Sequence, residues 1–209
     1  MVCFKLTCLP LRILLIWAVL LPAALQAQDQ KRYQGPMRIG PYQGVADYTY
    51  RVIEGDTLLD GPFLMERSSL DELLETRDTT FSFSGAFKDH YPDDFWRFEF
   101  GEFESERESR VVNYQYRVAI SGVQELASGL IREGRPTGSW DYTIQKIENS
   151  ELSGTLFNSR FEFDQGVPQG SFRIENEAGT LVGRFLKDGF AHDEWALFYT
   201  NEIGASEQW

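Results

Sequence analysis

Apolar and polar residues alternate along much of this chain. Trp140, Tyr142 and Ile144 fall on one side of an extended backbone, and Asp141 and Thr143 on the other. Trp96, Phe98 and Phe100 stand the same way against Arg97 and Glu99, and Tyr114, Tyr116, Val118 and Ile120 share one side of "YQYRVAI". A period of two in aromatic and β-branched residues predicts half-buried antiparallel strands. One stretch keeps the helical period instead. "SSLDELLE" (Ser68–Glu75) has Ser69 and Glu72 in a capping-box spacing, with Leu70, Leu73 and Leu74 on one side. It predicts a short helical insertion or an irregular loop. The charged run "EFESERESR" (Glu102–Arg110) has no apolar stripe and predicts a solvated hairpin tip.

The alternation restarts after a recurring turn. "GRPTGSW" (Gly134–Trp140) and "GVPQGSF" (Gly166–Phe172) share Gly, Pro, Gly and Ser in register and close on an aromatic ring. "FKDHYPDDFW" (Phe87–Trp96) and "LKDGFAHDEW" (Leu186–Trp195) align on them without gaps, and "RVIEGDTLLDGPF" (Arg51–Phe63) aligns with one inserted residue. The closing aromatics Phe63, Trp96, Trp140, Phe172 and Trp195 lie 33, 44, 32 and 23 residues apart, intervals in the range of repeat architectures. The first glycine supplies the positive φ of a tight hairpin, the proline stiffens the arm, and the second glycine lets the chain rejoin the ladder beside a large ring. Trp140 and Trp195 are expected to face the core as equivalent anchors.

With these residues in view, the chain resembles the MORN repeat, in its bacterial variant (antitoxin-like) form. Gly129, Gly134, Gly138, Trp140 and Tyr142 match one unit; Phe161, Gly166, Gly170 and Phe172 match a second; Gly183, Gly189, Trp195 and Tyr199 match a third. The resemblance covers Ala127–Thr200, and it departs where Asp94 and Asp193 replace the second glycine. It implies an elongated antiparallel sheet used for contacts with proteins, or in some cases lipids, and no chemistry of its own. The expected fold is all-β: an antiparallel meander of four to six repeated hairpins in a MORN-like single sheet, its apolar face covered by the sheet's own curl. A β-sandwich or small barrel is the runner-up.

The N-terminus adds an address. Lys5 and Arg12 precede the apolar run Ile13–Leu25, and small residues follow at Ala23, Ala24 and Ala27. This is the layout of a secretory signal peptide cleaved after Ala27, with a core too short for a spanning helix. Both cysteines, Cys3 and Cys8, lie in that leader. The mature chain would enter an oxidising compartment with no disulfide, no thiolate nucleophile and no thiolate metal ligand. The expected organisation is a leader at 1–27, a polar segment at 28–40, a hairpin-repeat domain at 41–200 and a tail at 201–209. The expected location is periplasmic or secreted. The formal net charge of −12 becomes two units more negative once Lys5 and Arg12 leave with the leader. So acidic a surface argues against nucleic acid and anionic lipid as partners.

Candidate chemistry is sparse. The two histidines sit in acidic turns, His90 with Asp89, Asp93 and Asp94, and His192 with Asp188, Asp193 and Glu194. Imidazole with carboxylates can hold a metal, but the two histidines do not align with each other and neither turn has the spacing of a metal loop. The expectation is no metal and no cofactor. Paired carboxylates for glycoside hydrolysis cannot be singled out among 32 acidic residues. Ser139 and Ser171 stand in no nucleophile-elbow sequence. Trp96, Trp140 and Trp195 suit either a packed ladder or an aromatic platform for sugar or peptide. In the last segment Ile203, Ala205 and Glu207 share a face, which does not suit the lipid side of an outer-membrane barrel. The function expected is an exported, non-catalytic binding or scaffold protein of the bacterial envelope with a protein partner. The alternative is a secreted hydrolase or carbohydrate-binding module.

Overall fold

The computed structural model describes residues 30–67, 78–105, 110–112, 115–117, 119–200 and 206–208. The leader and the Ser68–Glu75 segment lie outside the described residues. The chain builds strands β1 (Lys31–Ile39), β2 (Tyr42–Ile53), β3 (Asp56–Arg67), β4 (Asp78–Lys88), β5 (Tyr91–Ser105), β6 (Arg110–Val112) and β7 (Gln115–Arg117). It continues through β8 (Ile120–Arg132), β9 (Arg135–Glu148), β10 (Glu151–Asp164), β11 (Val167–Asn176), β12 (Gly179–Phe185), β13 (Ala191–Thr200) and β14 (Ser206–Gln208). Twelve of these form one sheet in chain order, all antiparallel, and among the described residues β6 and β7 pair with each other as a side hairpin between β5 and β8. The protein is all-β, a single meander sheet with β1 and β14 as its two edges.

Three details depart from the sequence reading. The sheet reaches past both expected domain boundaries: β1 lies in the segment read as polar, and β14 in the tail. Tyr33, Met37 and Ile39 do alternate with Arg32, Pro36 and Arg38, but the many polar residues mask the pattern. "YQYRVAI" is not one strand, since Gln115–Arg117 belongs to the side hairpin and the main sheet resumes at Ile120. The charged run read as a hairpin tip starts inside β5, which extends to Ser105.

The turns follow from their residues. Glu54–Gly55, Asp89–His90, Glu133–Gly134, Asn149–Ser150 and Gln165–Gly166 each have positive φ at both positions, the type I′ pattern whose twist matches that of the flanking strands. Next to the turn, each of the hairpins β2–β3, β4–β5, β8–β9, β10–β11 and β12–β13 carries a bulge with two extra residues on its second strand. The shifts lie between Tyr48↔Phe63 and Tyr50↔Leu59, Ser84↔Arg97 and Ala86↔Asp93, Gly129↔Trp140 and Leu130↔Thr137, Arg160↔Arg173 and Glu162↔Gln169, and Val182↔Ala196 and Arg184↔His192. The second glycine of the turn sequence sits in this bulge with positive φ at Gly61, Gly138 and Gly170, and Asp94 takes the same conformation. The first segment is two residues longer from turn to closing ring, not one: β2 and β3 pair through one more rung, Ile53↔Asp56 to Tyr50↔Leu59, and the second extra residue lies in the bulge, where Gly61 follows Leu59 by two positions while Gly138 follows Thr137 by one.

Bulges bend and twist strands. Here they lay each closing aromatic across the sheet. A side chain at Gly85 would collide with the Trp96 indole, and one at Gly129 with the Trp140 indole, so each ring lies over the preceding strand where that strand has no side chain. The indole N–H then donates to the carbonyl just past that glycine: Trp96 Nε1 to Ala86 O at 3.2 Å, and Trp140 Nε1 to Leu130 O at 3.0 Å.

The core lies on this aromatic face. Ala46, Phe63, Met65, Phe81, Phe83 and Trp96 are buried, with Tyr48, Phe87, Phe98, Phe100 and Trp140 packed around them. The curl that covers them is visible at Tyr42, whose ring centroid lies 5.1 Å from that of Phe83 on β4 and 5.5 Å from that of Phe100 on β5. Three strand spacings on a flat sheet would come to roughly 14 Å, so the β1–β2 end leans over β4 and β5.

Candidate functional site

Two surfaces of the sheet differ in chemistry. Opposite the aromatic face, a polar row runs through successive register partners Asp47, Leu64, Ser84, Arg97, Ser128, Asp141, Arg160 and Arg173. Its charges pair among themselves. Arg32 Nε lies 2.7 Å from Asp47 Oδ1, Arg160 Nε 2.6 Å from Asp141 Oδ1 and Arg173 Nε 2.7 Å from Glu175 Oε1, and Arg97 pairs with Glu99. The Arg32 guanidinium holds the Asp47 carboxyl below its ordinary range, chiefly through their hydrogen bond. These pairs are solvated and contribute little to stability.

The aromatic face holds two clusters. The first runs from Tyr33 through Tyr48 and Phe63 to Trp96, with centroid separations of 5.0, 6.1 and 5.8 Å, and continues through Phe98 to Trp140 at 6.3 Å. The second gathers Phe161, Phe172, Phe185 and Trp195. Phe172 stacks on Phe161 at 5.3 Å and meets Trp195 edge-on at 4.8 Å. Burial raises the Tyr48 pKa. Tyr142, two residues beyond Trp140 on β9, packs against Phe157 and donates its hydroxyl to Glu125 Oε2 at 2.6 Å. Burial first, and that hydrogen bond second, push the Tyr142 pKa up to about 12.

The equivalence of Trp140 and Trp195 as buried anchors does not hold. Trp96 is 4% exposed and Trp140 is half-buried, whereas Trp195 is 42% exposed, as is the neighbouring Tyr199 at 45%. Phe190, in the turn before β13, is 70% exposed. Trp195 has the motif position of the others but lies on β13, where among the described residues Phe198–Thr200 pair outward with β14.

The two histidine turns lie at the same end of the sheet but are separated by the five strand steps from β5 to β12, roughly 24 Å along the sheet. They do not converge. His90 occupies the place that Gly55, Gly134 and Gly166 take in the equivalent turns, with φ of 72°. Its Nδ1 faces the Leu59 N–H at 3.4 Å. Asp89 Oδ1 is 2.5 Å from Arg51 Nη2, and Asp93 Oδ1 accepts from the Glu133 N–H at 3.3 Å. Among the described residues no group of three or more His, Cys, Asp or Glu is placed to hold a metal ion. His192 stands opposite Arg184 on β12. Ser139 and Ser171 are exposed at the bulges, facing Glu162 and Arg184 in register.

Two grooves among the described residues bear on these surfaces. One of about 500 Å³ on the aromatic face is lined by Tyr42, Thr80, Phe81, Phe100, Val123 and Glu125. The other, about 820 Å³, crosses the turn end between Asp89, Tyr91, Arg132, Glu133 and Arg135. The turns there are stitched together: Gly134 N–H donates to Pro92 O, and Gly166 N–H to Pro136 O, each at 2.8 Å. Sequence reasoning did not find Tyr42, Phe190 or the Tyr142–Glu125 pair, since each acquires its surroundings from distant strands. Among the described residues no helix is long and apolar enough to cross a membrane. The chain matches no family model, no curated protein and no solved structure.

Proposed function

We propose that this chain is an exported, non-catalytic binding or scaffold protein of the bacterial envelope, a MORN-like hairpin sheet whose aromatic face contacts a partner protein. The observation that carries the reading is the end of the aromatic face, where Phe190, Trp195 and Tyr199 remain exposed on a sheet whose equivalent interior ring, Trp96, is buried. Exposed aromatic rings on a rigid scaffold are what protein interfaces use as anchors. Polar residues of the turn end are committed to neighbouring turns and ion pairs, which favours a structural role for them. The leader-like N-terminus and the acidic balance supply the address and the preference for a non-nucleic-acid partner.

The reading is tested in cells that export the protein, with a photo-crosslinking residue at Phe190 or Trp195 and, for comparison, at Thr143 on the opposite face. Adducts from the first two positions alone support it. Equal labelling from both faces, or none, rejects it. N-terminal mass analysis should find Gln28 first, and intact Met1 on the exported chain would reject the cleaved leader. A second reading, carbohydrate binding, is favoured by the groove at Tyr42, Phe81 and Phe100, which sets aromatic rings beside Thr80 and Glu125. Quenching of tyrosine and tryptophan fluorescence by oligosaccharides would select it.

A further inference from the structure

On the face opposite the aromatic rings, arginines stand beside carboxylates: Arg97 with Glu99, Arg160 with Asp141 and Arg173 with Glu175. The β8–β9 hairpin departs from that rule. Arg132 and Arg135 are direct register partners beside the Glu133–Gly134 turn, and both are exposed. Like charges set directly opposite destabilise a strand pair. Among the described residues neither guanidinium has an ion-pair partner. Both line the groove of about 820 Å³ at the turn end, together with Lys88 and Tyr91. Four acids share that groove. Asp89 is held by Arg51, Asp93 accepts from the Glu133 N–H, and the Glu133 and Asp164 carboxylates reach neither arginine. Apolar surface adjoins the cations. Phe95 and Leu130 are register partners on the same face, and both are exposed. Tyr91, also exposed, places its Cδ1 3.6 Å from where a side chain at Gly134 would stand.

We propose that this turn-end groove receives an extended, acidic segment of a partner protein. One carboxylate of the segment sits between Arg132 and Arg135, and its apolar side chains lie on Tyr91, Phe95 and Leu130. The segment supplies the counter-charge that the face itself supplies to Arg97, Arg160 and Arg173. Two guanidiniums on adjacent strands offer one carboxylate several charge-assisted hydrogen bonds. Arginine grouped with tyrosine and phenylalanine is the composition on which interfaces concentrate their binding. The length of the groove favours a segment over a single ion. Lys88 on β4 and Asp164 on β10 are four strand steps apart, roughly 19 Å along the sheet, or about six residues of extended chain. The net charge of −12 opposes an anionic partner at long range, so the contact depends on these local cations and not on steering. The surface lies across the sheet from Trp96 and Trp140, and the proposal does not rest on the aromatic face.

The test is titration calorimetry of the full chain with a six-residue synthetic peptide of alternating glutamate and leucine, against the same peptide with lysine in place of glutamate. The glutamate peptide should bind at least tenfold more tightly. In hydrogen–deuterium exchange it should slow Tyr91–Phe95 and Arg132–Thr137 several-fold. Arg135→Glu gives Arg132 a carboxylate of its own, so it should abolish the preference and leave the melting temperature unchanged or higher. No binding, equal binding of the two peptides, protection centred elsewhere, or an Arg135→Glu variant that keeps the wild-type affinity overturns the assignment. The exchange map of the unsubstituted protein decides the question where the variant fails to fold. The crosslinking experiment stands apart from this one, because its control position, Thr143, lies six residues along β9 from Thr137, roughly 20 Å from the groove.

Discussion

Trp96 and Trp195 close equivalent hairpins, follow equivalent bulges and lie on the same face, yet one is 4% exposed and the other 42%. The difference is in what surrounds them. Trp96 has Phe63, Phe87 and Phe98 around its ring within 6 Å, centroid separations of 5.8, 5.2 and 5.6 Å, and strands on both sides. Trp195 has Phe172 and Phe185 on its inner side. The N-terminal cluster is further closed by Tyr42, which the curl of the sheet brings over Phe81, Phe83 and Phe100. A hairpin motif therefore decides where a ring is laid, and its neighbours decide whether the ring is core or surface.

The largest expected contrast comes from removing the two rings. Trp96→Ala should cost about 3–5 kcal/mol in denaturant melts, the usual range for a buried large aromatic. Trp195→Ala should cost about 1 kcal/mol or less, as surface substitutions do. Equal losses would show that the two clusters are equally packed and would remove the basis for treating Trp195 as an interface residue.

Next in size is the glycine beneath a ring. A side chain at Gly129 would meet Trp140 Cε2 at 2.5 Å, while one at Gly154 on β10 would meet nothing within 4 Å. Gly129→Ala should destabilise by about 1–3 kcal/mol through overpacking, and Gly154→Ala should be neutral or stabilising by about 0.4–1 kcal/mol. Thermal or chemical melts of both variants check the pair, and a harmless Gly129→Ala would mean that Trp140 can lift off its strand freely.

The turns offer a smaller comparison. His90 holds a φ of 72° where Gly55, Gly134 and Gly166 stand in the equivalent turns. An L-residue in that region costs about 1–2 kcal/mol and glycine costs roughly 0.5–1 kcal/mol in entropy, so His90→Gly should raise stability by about 0.5–1 kcal/mol. A lower midpoint for His90→Gly would show that the imidazole contributes a contact of its own.

The smallest effect concerns Tyr142, beside Phe157. Its pKa is raised from 10.0 to about 12, first by burial and then by the hydrogen bond to Glu125. The folded state therefore favours the neutral phenol. That contribution is fully present below pH 10 and is lost as pH climbs through about 12. Tyr142→Phe should remove this alkaline component from the stability profile, and a profile unchanged between wild type and variant would place the ionisation elsewhere.

Much of the fold was readable before any coordinates. The period-two alternation around Trp96 and Trp140, the turn glycines and the closing aromatics all depend on local rules of strand and turn geometry, and the all-β meander follows from them. Where local rules are weak the reading failed. β1 is not legible as a strand because Gly35, Pro36 and its cations hide the alternation of Tyr33, Met37 and Ile39. Tyr114–Ile120 looked like one strand because its alternation is good, although pairing divides it between a side hairpin and the main sheet. The candidate site was less legible still, since the exposure of Phe190, Trp195 and Tyr199 depends on which strands lie beside them.

By itself, then, the sequence determined the local geometry of this protein: which segments extend, where positive φ is needed, where a large ring follows a bulge, and that the chain is acidic. Those properties are encoded within a few residues of where they act. Tertiary structure alone decided which rings are buried, because burial depends on strands far apart in the chain. Gly129 lies under Trp140 and Tyr42 lies over Phe100 only once the sheet has been assembled in order.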